Sequence, residues 1–222
     1  MRKVYYYPLC PFSRQLRIIL KEIDSVFTLV KEEFWLKKKE FITLNPNGKL
    51  PVLIETSGLV VYDIFTIIEY LREIEPNFHF ICNEPEKNVA IRKLFTWFND
   101  KFYHEITKII LNEKLIKFLK NYGSPRSDLL KIAKTSQKVH FNFITNLLQS
   151  NSYLAGDQVT IADIAAASHI SVIDYFNEVV WDYYPSVKNW YVLIKSRPSF
   201  KPLLQDYTPG FFPPKYYAEL DF

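Results

Sequence analysis

Glycine is scarce in this chain: five in 222 residues, beside one methionine and two cysteines. So few glycines leave little scope for a phosphate-cradling loop, and no such loop is found. Two cysteines make no disulfide framework. They fit a reducing compartment, where a thiol is either packed or reactive. Polar or charged side chains interrupt every apolar run short of the ~20 residues that a membrane helix needs. The basic start, Met1-Arg2-Lys3, leads into no apolar stretch long enough for a signal peptide. These absences predict a soluble, cytoplasmic protein without membrane insertion. His79, His104, His140 and His169 are dispersed with no metal-ligand spacing, so no metal site is expected. The net charge of +4 arises from interleaved acids and bases. The one dense basic cluster, Lys37-Lys38-Lys39, reads as a solvated turn, and nucleic-acid binding is not expected.

What is plentiful is aromatic: 18 Phe and 15 Tyr, within a hydrophobic content of 48%. That content suffices for one sizeable core or two smaller ones. A short β-prone run over 3–7 stops at Pro8, and Pro11 opens a helix with Leu16, Ile19 and Leu20 at helical spacing. A second strand is expected from Ser25 to Lys31, with a weak helix over 34–44 and an Asn45-Pro46-Asn47-Gly48 turn. Pro51–Glu55 and Leu59–Tyr62 read as a hairpin. Ile64, Ile67, Ile68 and Leu71 then mark a helix. The order β-α-β-(α)-β-β-α describes a small α/β domain over residues 1–78. A Pro-punctuated linker is expected at 79–86, followed by an all-helical domain over 87–205. Within it, a long amphipathic helix or helix pair spans Val89 to Leu119 and another helix Ser127 to Gln149. Thr160 and Asp163 stand at capping-box spacing and are expected to be structural. Residues 206–222 form an aromatic and acidic tail.

Chemistry concentrates in Cys10-Pro11-Phe12-Ser13, between the first strand and the first helix. A thiol at a helix N-terminus, with Arg14 nearby, is expected to have a lowered pKa and to act as a nucleophile. Ser13 replaces the second cysteine of a dithiol motif, so only monothiol chemistry is open. A packed, inert Cys10 is the competing reading. In Gly48-Lys49-Leu50-Pro51-Val52, a proline opening a strand after a turn is a candidate cis bond.

These segments resemble the glutathione-transferase fold: a thioredoxin-like N-terminal domain and a helical C-terminal domain. The likeness is carried by Cys10-Pro11-Phe12-Ser13, by Gly48–Val52, by Tyr153-Leu-Ala-Gly-Asp157 with Thr160-Ile-Ala-Asp163, and by Ser196–Phe200, which looks like the closing helix. It covers roughly residues 3–205. The resemblance implies a glutathione-like pocket at Lys49, Leu50, Pro51, Val52, Asp63 and Ile64. At the last position the family's serine hydroxyl is replaced by an apolar side chain, which weakens any glutathione site. Trp97-Phe98, Lys195–Leu204 and the ending Pro213–Phe222 are similar to the transferase-like, FtsZ-binding cell-division family of alphaproteobacteria. That likeness implies a homodimer that binds FtsZ polymers and needs no cofactor. The alternative is a glutathione thiol transferase, omega- or glutaredoxin-like, using Cys10. Candidate partner-binding residues are Trp35, Glu219, Leu220, Asp221 and Phe222. For Phe211, Phe212, Tyr216 and Tyr217, docking onto the domain is the expectation.

Overall fold

The computed structural model describes residues 1–82 and 84–220. They divide into two compact units: residues 1–79 with 198–210, and residues 80–197 with 211 onward.

The first unit is built on a four-stranded sheet of order β2-β1-β3-β4. Strand β1 is Arg2–Tyr6, β2 Phe27–Lys31, β3 Val52–Ile54 and β4 Val60–Tyr62. β2 runs parallel to β1, β3 antiparallel to β1, and β4 antiparallel to β3. The parallel pair requires a crossover, and helix α1 (Pro11–Glu22) supplies it. Pro11 sits at the first helical position, where its missing N–H costs nothing, and Leu16, Ile19 and Leu20 are buried. Asp24 in the left-handed conformation closes α1, with the Ser25 amide donating to the Leu20 carbonyl at 2.8 Å. That closure uses up Ser25, so β2 begins at Phe27, two residues later than the apolar alternation suggests. A single turn, Phe34–Leu36, and helix α2 (Lys39–Leu44) follow, with Lys37, Lys38 and Lys39 exposed to solvent. Helix α3 (Ile64–Ile74) packs on α1 and buries Ile64, Ile67, Ile68 and Leu71, the spacing read from sequence.

The second unit is helical. Its chain enters through Phe80 and Ile81, both buried, and the Phe80 carbonyl accepts from the Ile161 amide at 3.2 Å. The expected linker is therefore tied down at its start by apolar burial. Helix α4 runs unbroken over 85–119, α-helical in Pro85–Trp97 and π-wound in Phe98–Thr107 and Leu111–Ile116. Phe98, Phe102, Ile106 and Ile110 are all buried at a constant spacing of four. At 3.6 residues per turn such a line would drift by about 40° each turn, and the wider π winding offsets that drift.

Helix α5 is Ser127–Leu147, and α6 (Ile161–Tyr175) is buried along its whole length. α6 starts with the expected capping box: the Thr160 side chain accepts from the Ala162 amide, and Asp163 reaches back to the Thr160 amide at 2.9 Å. Helix α7 is Pro185–Lys195, and the short α8, Lys201–Leu204, belongs to the first unit. Ser196–Phe200, expected to be the closing helix, is instead the turn between these two. Pro198 has no amide to donate and restricts Arg197 before it, so the helix cannot pass.

Candidate functional site

Register places the chemical residues at one end of the sheet in the first unit. Val52 pairs with Tyr5 on one side and with Tyr62 on the other. Pro51, Asp63 and the segment following β1 therefore share that end. There the Cys10 amide donates to the Tyr7 carbonyl at 3.0 Å, turning the chain so that Cys10 caps α1 with Pro11 behind it. The Cys10 thiol lies 3.9 Å from the Leu50 carbonyl, which joins the two sequence motifs. The Leu50–Pro51 bond is cis, as expected.

The loop before it holds its own shape. Asn45 donates to the Lys49 carbonyl at 2.8 Å and accepts from the Asn47 amide at 3.0 Å, and Gly48 supplies the positive φ of 61°. Asp63 is exposed, at φ 70°, and accepts from the Phe65 amide at 2.9 Å to cap α3. Ile64 is only 3% exposed, because its side chain belongs to the α3 core stripe. Lys49 is exposed, while Leu50, Pro51 and Val52 are buried.

The thiol departs from the sequence expectation of a lowered pKa. Burial pushes Cys10 up, and the Ser13 hydroxyl, the Phe12 and Ser13 amides and the Arg14 charge only partly oppose it. Arg14 is committed elsewhere: its guanidinium is fully buried, donates to the Pro8 carbonyl at 2.7 Å and lies 3.4 Å from Asp206. Arg17 donates to both oxygens of Asp206 at 2.8 and 3.0 Å and covers the Tyr6 ring at 4.9 Å. Sequence reading missed this Arg14-Arg17-Asp206 cluster. Its members stand up to 192 residues apart, and nothing local marks them.

Trp35 is half-buried and packs edge-on against Tyr7 at 4.8 Å and Phe34 at 5.3 Å. In the tail of the second unit, Lys215–Ala218 forms a single tight turn with Tyr217 buried. Phe211 is gripped between Phe118 at 4.8 Å and Phe176 at 5.6 Å, and its carbonyl accepts from the Tyr175 hydroxyl. Phe212 corrects the docking expectation: it is 79% exposed, since successive residues of extended chain face opposite ways. Glu219 is exposed and Leu220 half-buried. Asp221 and Phe222 lie outside the described residues. No helix among the described residues is long and apolar enough to cross a membrane, and none of their His, Cys, Asp and Glu side chains group to hold a metal ion.

A two-domain sheet-and-helix chain with this thiol-and-proline end defines a class. Residues 9–74 match the model of the glutathione S-transferase N-terminal domain and residues 106–198 that of its C-terminal domain. The chain belongs to the glutathione S-transferase superfamily. Within it, the chain is 38% identical to FtsZ-localized protein A of Caulobacter vibrioides, over 100% of this chain and 98% of that protein. The solved structure of FzlA from C. crescentus superimposes with a TM-score of 0.97 at 38% identity, covering 100% of this chain and 99% of that one. A structure described as a glutathione S-transferase from Rhodospirillum rubrum F11 superimposes equally well, with a TM-score of 0.97, 39% identity and full coverage of both chains.

Proposed function

We propose that this chain is a transferase-fold binding protein of the cytoplasm that associates with FtsZ polymers, as a homodimer, and regulates cell division without needing a cofactor. The observation that carries the proposal is the extent of the likeness to FtsZ-localized protein A, which spans the whole chain, tail included. Two features of the site support a binding role over glutathione chemistry. Burial raises the Cys10 thiol, which lowers its thiolate fraction at neutral pH. Ile64 also offers no hydroxyl to a γ-glutamyl carboxylate and is spent in the core. The candidate partner-binding residues are Glu219, Leu220, Asp221 and Phe222 of the tail, with Trp35 of the first unit as a separate, second anchor; the tail leads. Its acidic and apolar end suits the rim and anchor of an interface.

Co-sedimentation with polymerised FtsZ tests the reading. The wild-type chain should pellet with polymer, and Asp221→Lys and a chain ending at Lys215 should pellet less while keeping fold and dimer. Undiminished binding by both variants would move the interface off the tail, and no pelleting by wild type would remove FtsZ as partner.

A glutathione thiol transferase using Cys10 is the second reading, favoured by the thiol's place at the α1 N-terminus beside the Leu50 carbonyl and Pro51. Calorimetry decides it. Glutathione affinity no tighter than millimolar agrees with the binding protein, and micromolar affinity promotes the enzyme.

A further inference from the structure

The tail is held by a buried charge that the proposed function leaves unused. Lys195, the last residue of α7, has no exposed surface, yet it carries an ammonium group. That group donates to the Glu219 carbonyl at 2.6 Å and stands 3.5 Å from the Tyr216 carbonyl. It also covers the rings of Tyr191 at 5.7 Å and Tyr217 at 5.8 Å. The two carbonyls belong to the turn Lys215–Ala218 and the residue just after it. An ammonium there does for the tail turn what a cation does at any helix C-terminus: it sits against the carbonyls at that end, of which Tyr216's also accepts from the Glu219 amide.

A second charge lies within electrostatic reach. Asp174, near the end of α6, is fully buried, and its Oδ1 accepts from the Trp181 indole at 2.9 Å. The Tyr191 and Tyr216 hydroxyls also bear on this carboxylate. The titratable groups facing this pair are Tyr191 from α7 and Tyr216, Tyr217 and Glu219 from the tail. Burial pushes Asp174 up to about 6 and Lys195 down to about 8, so each is raised or lowered against its charged form. Two buried charges of this kind are poor stabilisers, and apolar replacements are often neutral or stabilising. Other contacts also hold the tail, among them the Tyr216 hydroxyl on Asn177 at 3.0 Å, Tyr217 against Tyr175 at 5.4 Å and the grip on Phe211.

We propose that Lys195, backed by Asp174, is a positioning residue for partner binding: by clamping the Tyr216 and Glu219 carbonyls it fixes where the acidic-apolar end of the tail leaves the helical unit. The proposal rests on the tail being the partner-binding segment. It adds that a tail of unchanged sequence binds poorly once unclamped, because the partner must then order it. Between about pH 6 and pH 8 both groups are charged and the clamp is complete. Above that window Lys195 loses its proton, and because the cover of the tail is part of what lowers it, the neutral form favours the covered state.

The test compares four chains in co-sedimentation with polymerised FtsZ: wild type, a chain ending at Lys215, Lys195→Met, and Lys195→Met with Asp174→Asn. Hydrogen exchange of the Tyr217 and Glu219 amides, which donate to the Pro214 and Tyr216 carbonyls, is followed alongside. The double variant should keep the wild-type melting temperature or exceed it. It should exchange those amides about tenfold faster and bind about tenfold more weakly. A merely structural lysine would lower the melting temperature and leave binding by the folded fraction unchanged, which overturns the proposal. Loss of binding on truncation together with full binding by the double variant overturns this inference alone. Full binding by the truncated chain overturns the tail reading and this inference with it. If neither lysine variant folds, wild type answers by itself. Raising pH from 7 to 9 should slow exchange at Tyr217 and Glu219 relative to the intrinsic base-catalysed rise and to the α6 amides, because an open tail returns Lys195 to water and to its ordinary pKa, and equal change everywhere overturns the clamp.

Discussion

Replacing Asp163 with alanine should be among the most damaging single changes available to this chain. The carboxylate is fully buried and every partner it has is a donor. Oδ1 accepts from the Leu154 amide at 2.9 Å and the Trp190 indole at 3.0 Å, while Oδ2 accepts from the Thr160 amide and hydroxyl, both at 2.9 Å. Alanine strands the Leu154, Thr160 and Trp190 N–H groups in a closed site, at about 1–3 kcal/mol for each unsatisfied buried donor. Relaxation makes such losses sub-additive, and about 4 kcal/mol is a reasonable total, at the upper end for single substitutions. At about 2–4 °C per kcal/mol for a chain of this size, the melting temperature should fall by about 8–16 °C. Asparagine should recover only part of this, because its NH2 must face two donors whichever way the amide is flipped. Differential scanning calorimetry with far-ultraviolet circular dichroism measures both variants. A fall of under about 2 °C for alanine would mean that water replaces the carboxylate, and the argument from buried donors would be wrong.

Alkylation of the two cysteines should show half-exposed Cys82 reacting first at neutral pH and Cys10 titrating above the ordinary thiol value, since burial raises it. A fast phase lost in Cys10→Ser would refute that order. Ile64→Ser removes a core side chain to restore a hydroxyl, so it should lower stability by about 3 kcal/mol without conferring micromolar glutathione affinity. Tight binding in calorimetry would show the pocket to be otherwise complete. Asp174 is raised to about 6 in the folded state, so its contribution to stability is complete below its ordinary value and is lost as pH rises through 6. Lys195 is lowered to about 8, so its contribution is present above its ordinary value and is lost as pH falls through 8. Stability should thus dip between pH 6 and 8 relative to the Lys195→Met, Asp174→Asn chain, and parallel pH curves would contradict both shifts.

Patterns that repeat within a few residues were legible from the start. The α1 and α3 stripes, the Asn45–Gly48 turn, the cis proline and the Thr160-Asp163 capping box all depend on neighbours close in sequence, and all are present. Residue type alone likewise located Cys10 at a helix N-terminus. What residue type could not supply was the balance of burial against local dipoles there. The same helix end lowers a thiol that faces water and fails to lower one sealed against the Leu50 carbonyl.

The local chemistry of the chain therefore dictated which elements form and where the thiol and proline motifs stand. Only the folded chain decided what those motifs can do. Arg14 looked like a charge for Cys10 alone, and the fold shares it with Asp206, nearly two hundred residues away, while burial outweighs what it does for the thiol. Lys195 looked like an ordinary helix-ending lysine until the tail turned back over it and removed its water. In both cases the deciding quantity is desolvation, which depends on every atom that comes to surround a group and on none of its sequence neighbours in particular.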